Sequence, residues 1–243
     1  MMNKSETGPR VDIEAMLLAD RAGALDLPLF DRRYYNQQLP QFAQQIDGAF
    51  AHFLTSGEKL GLRPHPLFDR AYVLEQAAQA GVEIDEDFSP FLYVLESDIS
   101  PSRLFSVSYY RDALAKAGGE IEEGDPTIFH FLTKWSETRA AFSPYFDVHF
   151  YHLDNPHLKD SASNPLEHYF RVPLHERSDA NPMFHAGFYF QTYQPEGVDP
   201  LIDFLDTGCG HLNLPNPYAA QELLSDAFLT SENLLHYIET RGQ

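Results

Sequence analysis

Histidine side chains along this chain of 243 residues raise the possibility of metal or acid–base chemistry. His149 and His152 stand three positions apart and His157 follows closely, so two imidazoles could share a helix face and ligate a metal ion. No glutamate follows in the arrangement that metalloproteases use. The three histidines are therefore metal-ligand candidates without a recognisable reaction, and we expect no metal and no other cofactor.

Asp85-Glu86-Asp87 spells the carboxylate-x-carboxylate pattern with which many sugar-nucleotide transferases hold a divalent cation. That pattern works at the end of a buried strand, whereas here it lies in an acidic linker before Ser89-Pro90. The sequence contains no glycine-rich phosphate loop, no nucleophile elbow and a single cysteine, Cys209. We therefore expect that the protein is not an enzyme. An enzyme that acts on glycans is the alternative.

A histidine also recurs at one position of an apolar segment that is repeated along the chain. In some copies a tyrosine or an aspartate occupies this position. The residues at this position are His52, Tyr93, His130, His168, Asp203 and His236. They come from segments about 38 residues apart, so they form a ladder and not one cluster. We expect each side chain to bond the backbone of a neighbouring loop, with a ligand-facing row as the alternative.

The chain also contains a six-residue motif, called the phrase below, that recurs five times. It begins with phenylalanine and ends, in most copies, with tyrosine. The five copies are Phe30–Tyr35, Phe68–Val73, Phe105–Tyr110, Phe146–Tyr151 and Phe184–Tyr189. Their first residues lie 38, 37, 41 and 38 positions apart. Self-similarity at such a period predicts an array of supersecondary units in which each buries a face on the next.

Each phrase is typical of a helix start. Its second residue is a good N-cap in four copies, and only His185 is a poor one. The first and last residues occupy N′ and N4, where they form a hydrophobic staple. A cap-proline pair then starts a second helix with a wide apolar face, and the pairs are Ser89-Pro90, Asp125-Pro126, Asn164-Pro165 and Asp199-Pro200.

The sequence thus predicts an all-α protein, an array of about five tandem helix-pair repeats with degenerate terminal caps, forming one elongated body. Residues 1–9 are expected to be disordered and residues 10–27 to form an N-terminal capping helix. Residues 28–216 hold the five repeats. Residues 217–243 are a degenerate sixth copy, with Tyr218 at the phenylalanine position.

Aromatic residues are abundant, at 14% of the chain, and exposed aromatic rings are common stacking platforms for sugars. Aromatic residues that recur in every copy are expected to be core. Those that do not recur are the candidate ligand contacts, and they are Trp135, Tyr193 and Tyr218.

Charge and hydropathy restrict the partners. A formal charge of −19 lacks the basic footprint of a nucleic-acid-binding protein. The N-terminus, Met-Met-Asn-Lys-Ser-Glu, has no apolar segment, so we expect no signal peptide, no membrane insertion and cytoplasmic synthesis. Residence in a released particle or a surface assembly is compatible with the same features.

The two phrases together resemble a repeat found in bacterial proteins of surface-polysaccharide synthesis, often beside glycosyltransferase or sulfotransferase domains. The matching segments are Pro28–Tyr35, Gly57–Pro64 with Arg63, Pro66–Tyr72, Asp154–His157 and Asn164–Phe170. The resemblance covers most of residues 28–240 and departs from the pattern at Ser106, where the third copy has no aspartate. It implies an association with bacterial surface glycans and brings no catalytic residues with it.

The leading hypothesis is a non-catalytic repeat module that binds a bacterial surface polysaccharide or docks onto its biosynthetic machinery. The alternative is a structural subunit of a surface assembly or phage-like particle that mediates attachment to a cell-surface glycan. Either hypothesis gives the chain a glycan or a protein as its partner, and either is compatible with a homo-oligomer.

Overall fold

The computed structural model describes residues 11–44, 46–211 and 213–218, and in these ranges the chain is all-α, with eleven α-helices and no strand. The chain divides into two compact units between Ala140 and Ala141. This boundary lies between the third and the fourth copy of the phrase. The predictions for residues 1–9 and for the residues after Tyr218, including His236, lie outside the described residues.

The first compact unit contains seven of these helices. They are α1 (Ile13–Arg21), α2 (Arg32–Gln37), α3 (Ala49–His52), α4 (Arg70–Gln79), α5 (Pro90–Ser97), α6 (Val107–Lys116) and α7 (Thr127–Thr138). A 3₁₀ turn at Gln41–Ala43 follows α2, and a π-helical turn at Phe53–Gly57 continues α3. The predicted N-terminal helix is α1, which Asp12 caps by accepting from the Ala15 amide.

The second compact unit contains the remaining four. They are α8 (Val148–Asp154), α9 (Pro165–Arg171), α10 (Ala186–Tyr193) and α11 (Pro200–Asp203). Two 3₁₀ turns, Pro156–Leu158 and Leu174–Glu176, follow α8 and α9. A π-helical turn at Phe204–Gly208 continues α11 as the corresponding turn continues α3.

Helices α2, α4, α6, α8 and α10 each begin within a copy of the phrase, as predicted. The second residue of the phrase caps the helix by accepting from the amide three positions on, at 2.9–3.3 Å. The expectation that His185 is a poor cap is wrong, because its Nδ1 accepts from the Phe188 amide at 3.2 Å. Such a bond requires an unprotonated Nδ1.

The predicted hydrophobic staples are confirmed. In four copies the rings of the first and last phrase residues contact each other, with centroids 4.9–5.8 Å apart. The fifth pair, Phe68 and Val73, is buried as well. These residues form much of the core of each compact unit. Each staple also fixes the angle at which the chain enters the helix.

The second helices α5, α9 and α11 begin at a proline that follows a capping Ser89, Asn164 or Asp199, as predicted. Helix α7 is the exception. It begins one residue after Pro126, and Oδ1 of Asp98 accepts from the Thr127 amide at 2.6 Å. A carboxylate 29 positions away therefore does what Asp125 was expected to do.

Candidate functional site

Trp135, the first predicted ligand contact, lies in the core of the first compact unit. Its side chain is only 2% exposed, and its indole Nε1–H donates to the Ala140 carbonyl at 2.9 Å. A buried indole whose N–H has a protein partner is a packing residue. The ring face is therefore covered by protein and is not available for stacking on a sugar in this structure.

Tyr193, the second predicted contact, is half-buried in the second compact unit. Its hydroxyl accepts from the Leu214 amide at 2.8 Å, and its ring centroid is 4.8 Å from that of Tyr189. The phenol therefore holds the loop after α11 against α10. Tyr193 and Trp135 belong to different compact units.

Tyr218, the third predicted contact, is 93% exposed. Its position in the repeat differs from the prediction by one residue. Oδ1 of Asn216 accepts from the Tyr218 amide at 2.9 Å, as Oδ1 of Asn181 accepts from the Met183 amide at 3.0 Å. Tyr218 thus corresponds to Met183, the residue before the phenylalanine of a phrase.

The candidate metal ligands are not assembled into a site. His149 and His157 are exposed, and the ring of His157 lies against that of His168, with centroids 5.3 Å apart. Among the described residues, no group of three or more His, Cys, Asp or Glu side chains is placed to hold a metal ion. His152, the remaining candidate, is half-buried on α8.

The Asp85-Glu86-Asp87 motif forms an exposed turn. Oδ1 of Asp85 accepts from the Asp87 amide at 3.0 Å, and Lys59 lies 3.9 Å from the Asp87 carboxylate. This is the local hydrogen bonding by which aspartate stabilises turns.

The three recurrent histidines in the described ranges bond a tyrosine side chain, so for them the expectation of a loop backbone as the partner is wrong. The phenol that ends the phrase lies 2.5–2.9 Å from Nδ1 of the histidine on the following helix. The three pairs are Tyr35–His52, Tyr110–His130 and Tyr151–His168. In the fifth copy the hydroxyl of Tyr189 donates to Asp203 at 2.7 Å instead.

Burial favours the neutral forms of the three tyrosines and of His130 and His168. Desolvation raises the pKa of Tyr35 to about 12 and also raises the pKa of Tyr110 and of Tyr151. Desolvation lowers the pKa of His130 and of His168. In the Tyr110–His130 and Tyr151–His168 pairs, a neutral phenol and a neutral imidazole therefore share one proton in a structural hydrogen bond, and neither group is poised for proton transfer near neutral pH.

Carboxylates from an earlier segment cap three of the second helices in the first compact unit, and of these Asp20 and Glu58 are buried whereas Asp98 is half-buried. Asp20 accepts from the Phe50 and Ala51 amides, both at 3.0 Å, and so caps α3 from outside that helix. Glu58 accepts from the Phe91 amide at the start of α5, and Asp98 does the same for α7. Burial raises the pKa of Glu58, whereas its hydrogen bonds oppose that rise.

In the second compact unit an arginine fixes the loop between α9 and α10. The Arg177 guanidinium donates to the Val172 and Phe170 carbonyls and to Oδ2 of Asp199, the last at 2.6 Å. The Tyr169 hydroxyl donates to the same carboxylate oxygen at 2.8 Å. This buried network anchors the 3₁₀ turn Leu174–Glu176, which directly precedes Arg177.

That turn forms one wall of an open pocket of about 790 Å³. The other walls are the end of α10 and the loop that follows it. The pocket, called the Phe190 pocket below, is lined by Leu174, His175, Phe190, Gln191, Gln194, Pro195, Glu196 and Gly197. The ring of Phe190 is 46% exposed, and Val198 next to the pocket is 42% exposed.

Backbone conformations of the left-handed region shape the loop of the Phe190 pocket. Gln194 ends α10 with φ 50°, and its amide donates to the Phe190 carbonyl at 3.0 Å. Gly197 has φ 69°, which costs glycine little. Gln194 is one of three described non-glycine residues with positive φ, and its left-handed conformation is the one in which many helices end.

The sequence prediction missed Phe190 although a signal was present. Counted from the start of each phrase, the equivalent residues are Asn36, Leu74, Arg111 and His152. Phe190 is therefore an aromatic residue that does not recur, and the rule applied to Trp135 selects it too. In the sequence it is hard to distinguish from the core aromatic residues, because it directly follows the recurrent Phe188 and Tyr189.

No protein-family model, curated protein or solved structure matches this chain. None of the helices in the described ranges combines the length and the apolar character needed to span a membrane.

Proposed function

We propose that this chain is a non-catalytic module of tandem helix-pair units that binds a bacterial surface polysaccharide through the Phe190 pocket. The half-exposed ring of Phe190 at an open, partly polar pocket is the observation that carries the proposal. Among the side chains that the structure describes, Phe190 and Tyr218 are the exposed aromatic ones, and Phe190 is the one that lines this pocket.

The chemistry of the lining suits a sugar chain. The C–H face of a pyranose ring packs on an aromatic face, and the side-chain amides of Gln191 and Gln194 offer both donors and acceptors to hydroxyl groups. A volume of about 790 Å³ lies in the range of roughly 300–1,000 Å³ that is usual for small-ligand sites. It accommodates a short segment of a polysaccharide.

The tandem arrangement is supported by a backbone hydrogen bond that recurs between phrases. The amide of the N-cap residue of one phrase donates to a carbonyl that lies four residues before the start of the next phrase, at 2.8–2.9 Å. In the last of these bonds the acceptor is the equivalent residue Pro215. The four bonds are Asp31 to Pro64, Asp69 to Pro101, Asp147 to Ala180 and His185 to Pro215. Contacts between neighbouring units are what stabilise a repeat array.

The proposal is tested by measuring the binding of the protein to purified bacterial capsule and lipopolysaccharide with affinity electrophoresis. We expect retention by at least one glycan and a loss of about tenfold or more in affinity for Phe190→Ala, since about 1.4 kcal/mol corresponds to tenfold. Leu153→Ala is the matched control, because Leu153 is an apolar residue of the same compact unit, is 66% exposed and lies outside the pocket lining.

Two results would contradict the proposal. Equal losses in the Phe190 and Leu153 variants would remove the pocket from glycan binding. Retention by no glycan, with the protein folded by circular dichroism, would favour the structural-subunit alternative.

A further inference from the structure

The Phe190 pocket carries negative and not positive charge. Glu196 is part of its lining, and none of its eight described lining residues is a lysine or an arginine. Nε2 of His175 lies 3.2 Å from the Glu176 carboxylate, so the imidazole in the lining has an acidic partner next to it.

The surrounding compact unit has the same sign. Between Ala141 and Tyr218 the chain has ten Asp and Glu residues but only three Lys and Arg residues. Arg177 is bound in the buried network with Asp199, and Arg171 pairs with Glu167 at 3.3 Å. The field over the pocket therefore opposes the approach of an anion, since like charges across an interface disfavour binding.

We propose that the Phe190 pocket selects glycan segments that carry no anionic group, an inference that rests on the proposed glycan-binding function. Uronic acid, phosphate and sulfate substituents bring a charge that Glu196 repels. Neutral hydroxyl and acetamido groups match the amides of Gln191 and Gln194, and an amino substituent would be attracted by Glu196.

A matched pair of polysaccharides isolates the charge. Uronic-acid-containing bacterial capsular polysaccharides are tested in native form and after carboxyl reduction, which keeps the backbone and removes the charge, alongside neutral polysaccharides. We expect each retained backbone to bind about fivefold or more tightly in the reduced form at low ionic strength. Salt should narrow the preference, because it screens exposed charges.

Two charge-reversal variants separate the pocket from the net charge. Glu196→Lys should abolish the preference for the reduced form, whereas Asp160→Lys, which changes the net charge equally at an exposed residue outside the lining, should preserve it. An equal effect of both variants would overturn the assignment to the pocket.

The remaining outcomes distinguish this inference from the function beneath it. Tighter binding of native, anionic forms would overturn the selectivity and leave glycan binding standing. Retention of neither acidic, reduced nor neutral polysaccharides would overturn both.

Discussion

The phenol oxygen of Tyr110 lies 2.9 Å from Nδ1 of His130, and both side chains are buried in the first compact unit. The bond joins α6, which the phrase begins, to α7, which follows it. Equivalent bonds join α2 to α3 and α8 to α9. Where the last residue of the phrase is a tyrosine it therefore has two roles, because its ring completes the hydrophobic staple and its hydroxyl fixes the second helix.

Tyr110→Phe should destabilise the protein while leaving the staple intact. The substitution keeps the ring packed on Phe105 but leaves Nδ1 of His130 without its partner in a buried site. An unsatisfied buried polar group costs about 1–3 kcal/mol. Urea denaturation followed by circular dichroism should show a free energy of unfolding lower by that amount.

A double-mutant cycle checks that the effect belongs to the pair. When His130→Leu is combined with Tyr110→Phe, the two losses should be smaller than additive, by about 0.5–3 kcal/mol. Tyr93→Phe is the matched control, since the second phrase ends in Val73 and offers no phenol to the equivalent position. Strict additivity in the cycle would contradict the role of the hydrogen bond.

His130 and His168 should titrate below the ordinary histidine value of 6.5, because desolvation lowers the pKa of both. The folded state then binds fewer protons than the unfolded state as the pH falls through 6.5, so these residues destabilise the fold on acidification. Two-dimensional NMR of the imidazole nitrogens measures each pKa directly. A value at or above that of unfolded histidine would contradict the burial argument.

The elements defined by short spacing could be predicted from the sequence. The cap at Asp31 and the staple between Phe30 and Tyr35 lie within six residues, so local backbone geometry decides them. The same holds for the helix starts at Ser89-Pro90 and Asn164-Pro165, where the capping side chain accepts from an amide two or three positions further on.

The contacts made between helices could not be predicted in this way. Tyr35 and His52 are 17 positions apart, and Asp20 is 30 positions from the amide of Phe50. Their meeting depends on how two helices dock, which the period of the repeat does not encode. The Phe190 pocket is harder still, because the loop that carries the turn at Leu174–Glu176 is held by the bond of Arg177 to Asp199, which lies 22 positions further along the chain.

Gly57→Ala should be strongly destabilising although the backbone at this position is helical. A methyl group at Gly57 would overlap the hydroxyl of Tyr35, which sits against the π-helical turn and also bonds His52. Overpacking of a core typically costs about 1–3 kcal/mol. Thermal unfolding should show a correspondingly lower midpoint.

A second substitution distinguishes this clash from a general effect of alanine. Removing the hydroxyl with Tyr35→Phe should make Gly57→Ala less costly than in the wild-type background. Gly210→Ala is the control, because its added methyl would meet only the Thr207 carbonyl at an ordinary 3.5 Å. Equal costs of Gly57→Ala in both backgrounds would show that the hydroxyl is not the obstacle.

Asp20 should be among the most sensitive residues of the first compact unit. Its side chain is fully buried, accepts from the Phe50 and Ala51 amides, and pairs with Arg32 at 2.6 Å. Asp20→Ala leaves three donors without their acceptor, which should lower the free energy of unfolding by about 2–4 kcal/mol. Urea denaturation measures the loss.

Asp20→Asn tests which of these contacts dominates. The amide keeps one oxygen that can cap α3 but loses the charge that binds Arg32, so its cost should be intermediate. Asp26→Ala removes an exposed carboxylate nearby and should change the free energy of unfolding by no more than about 0.5 kcal/mol. If Asp20→Ala were equally mild, α3 would not depend on a cap supplied from α1. The same result would argue against a stabilising role for Glu58 and Asp98, which accept from the first amides of α5 and α7 in the same way.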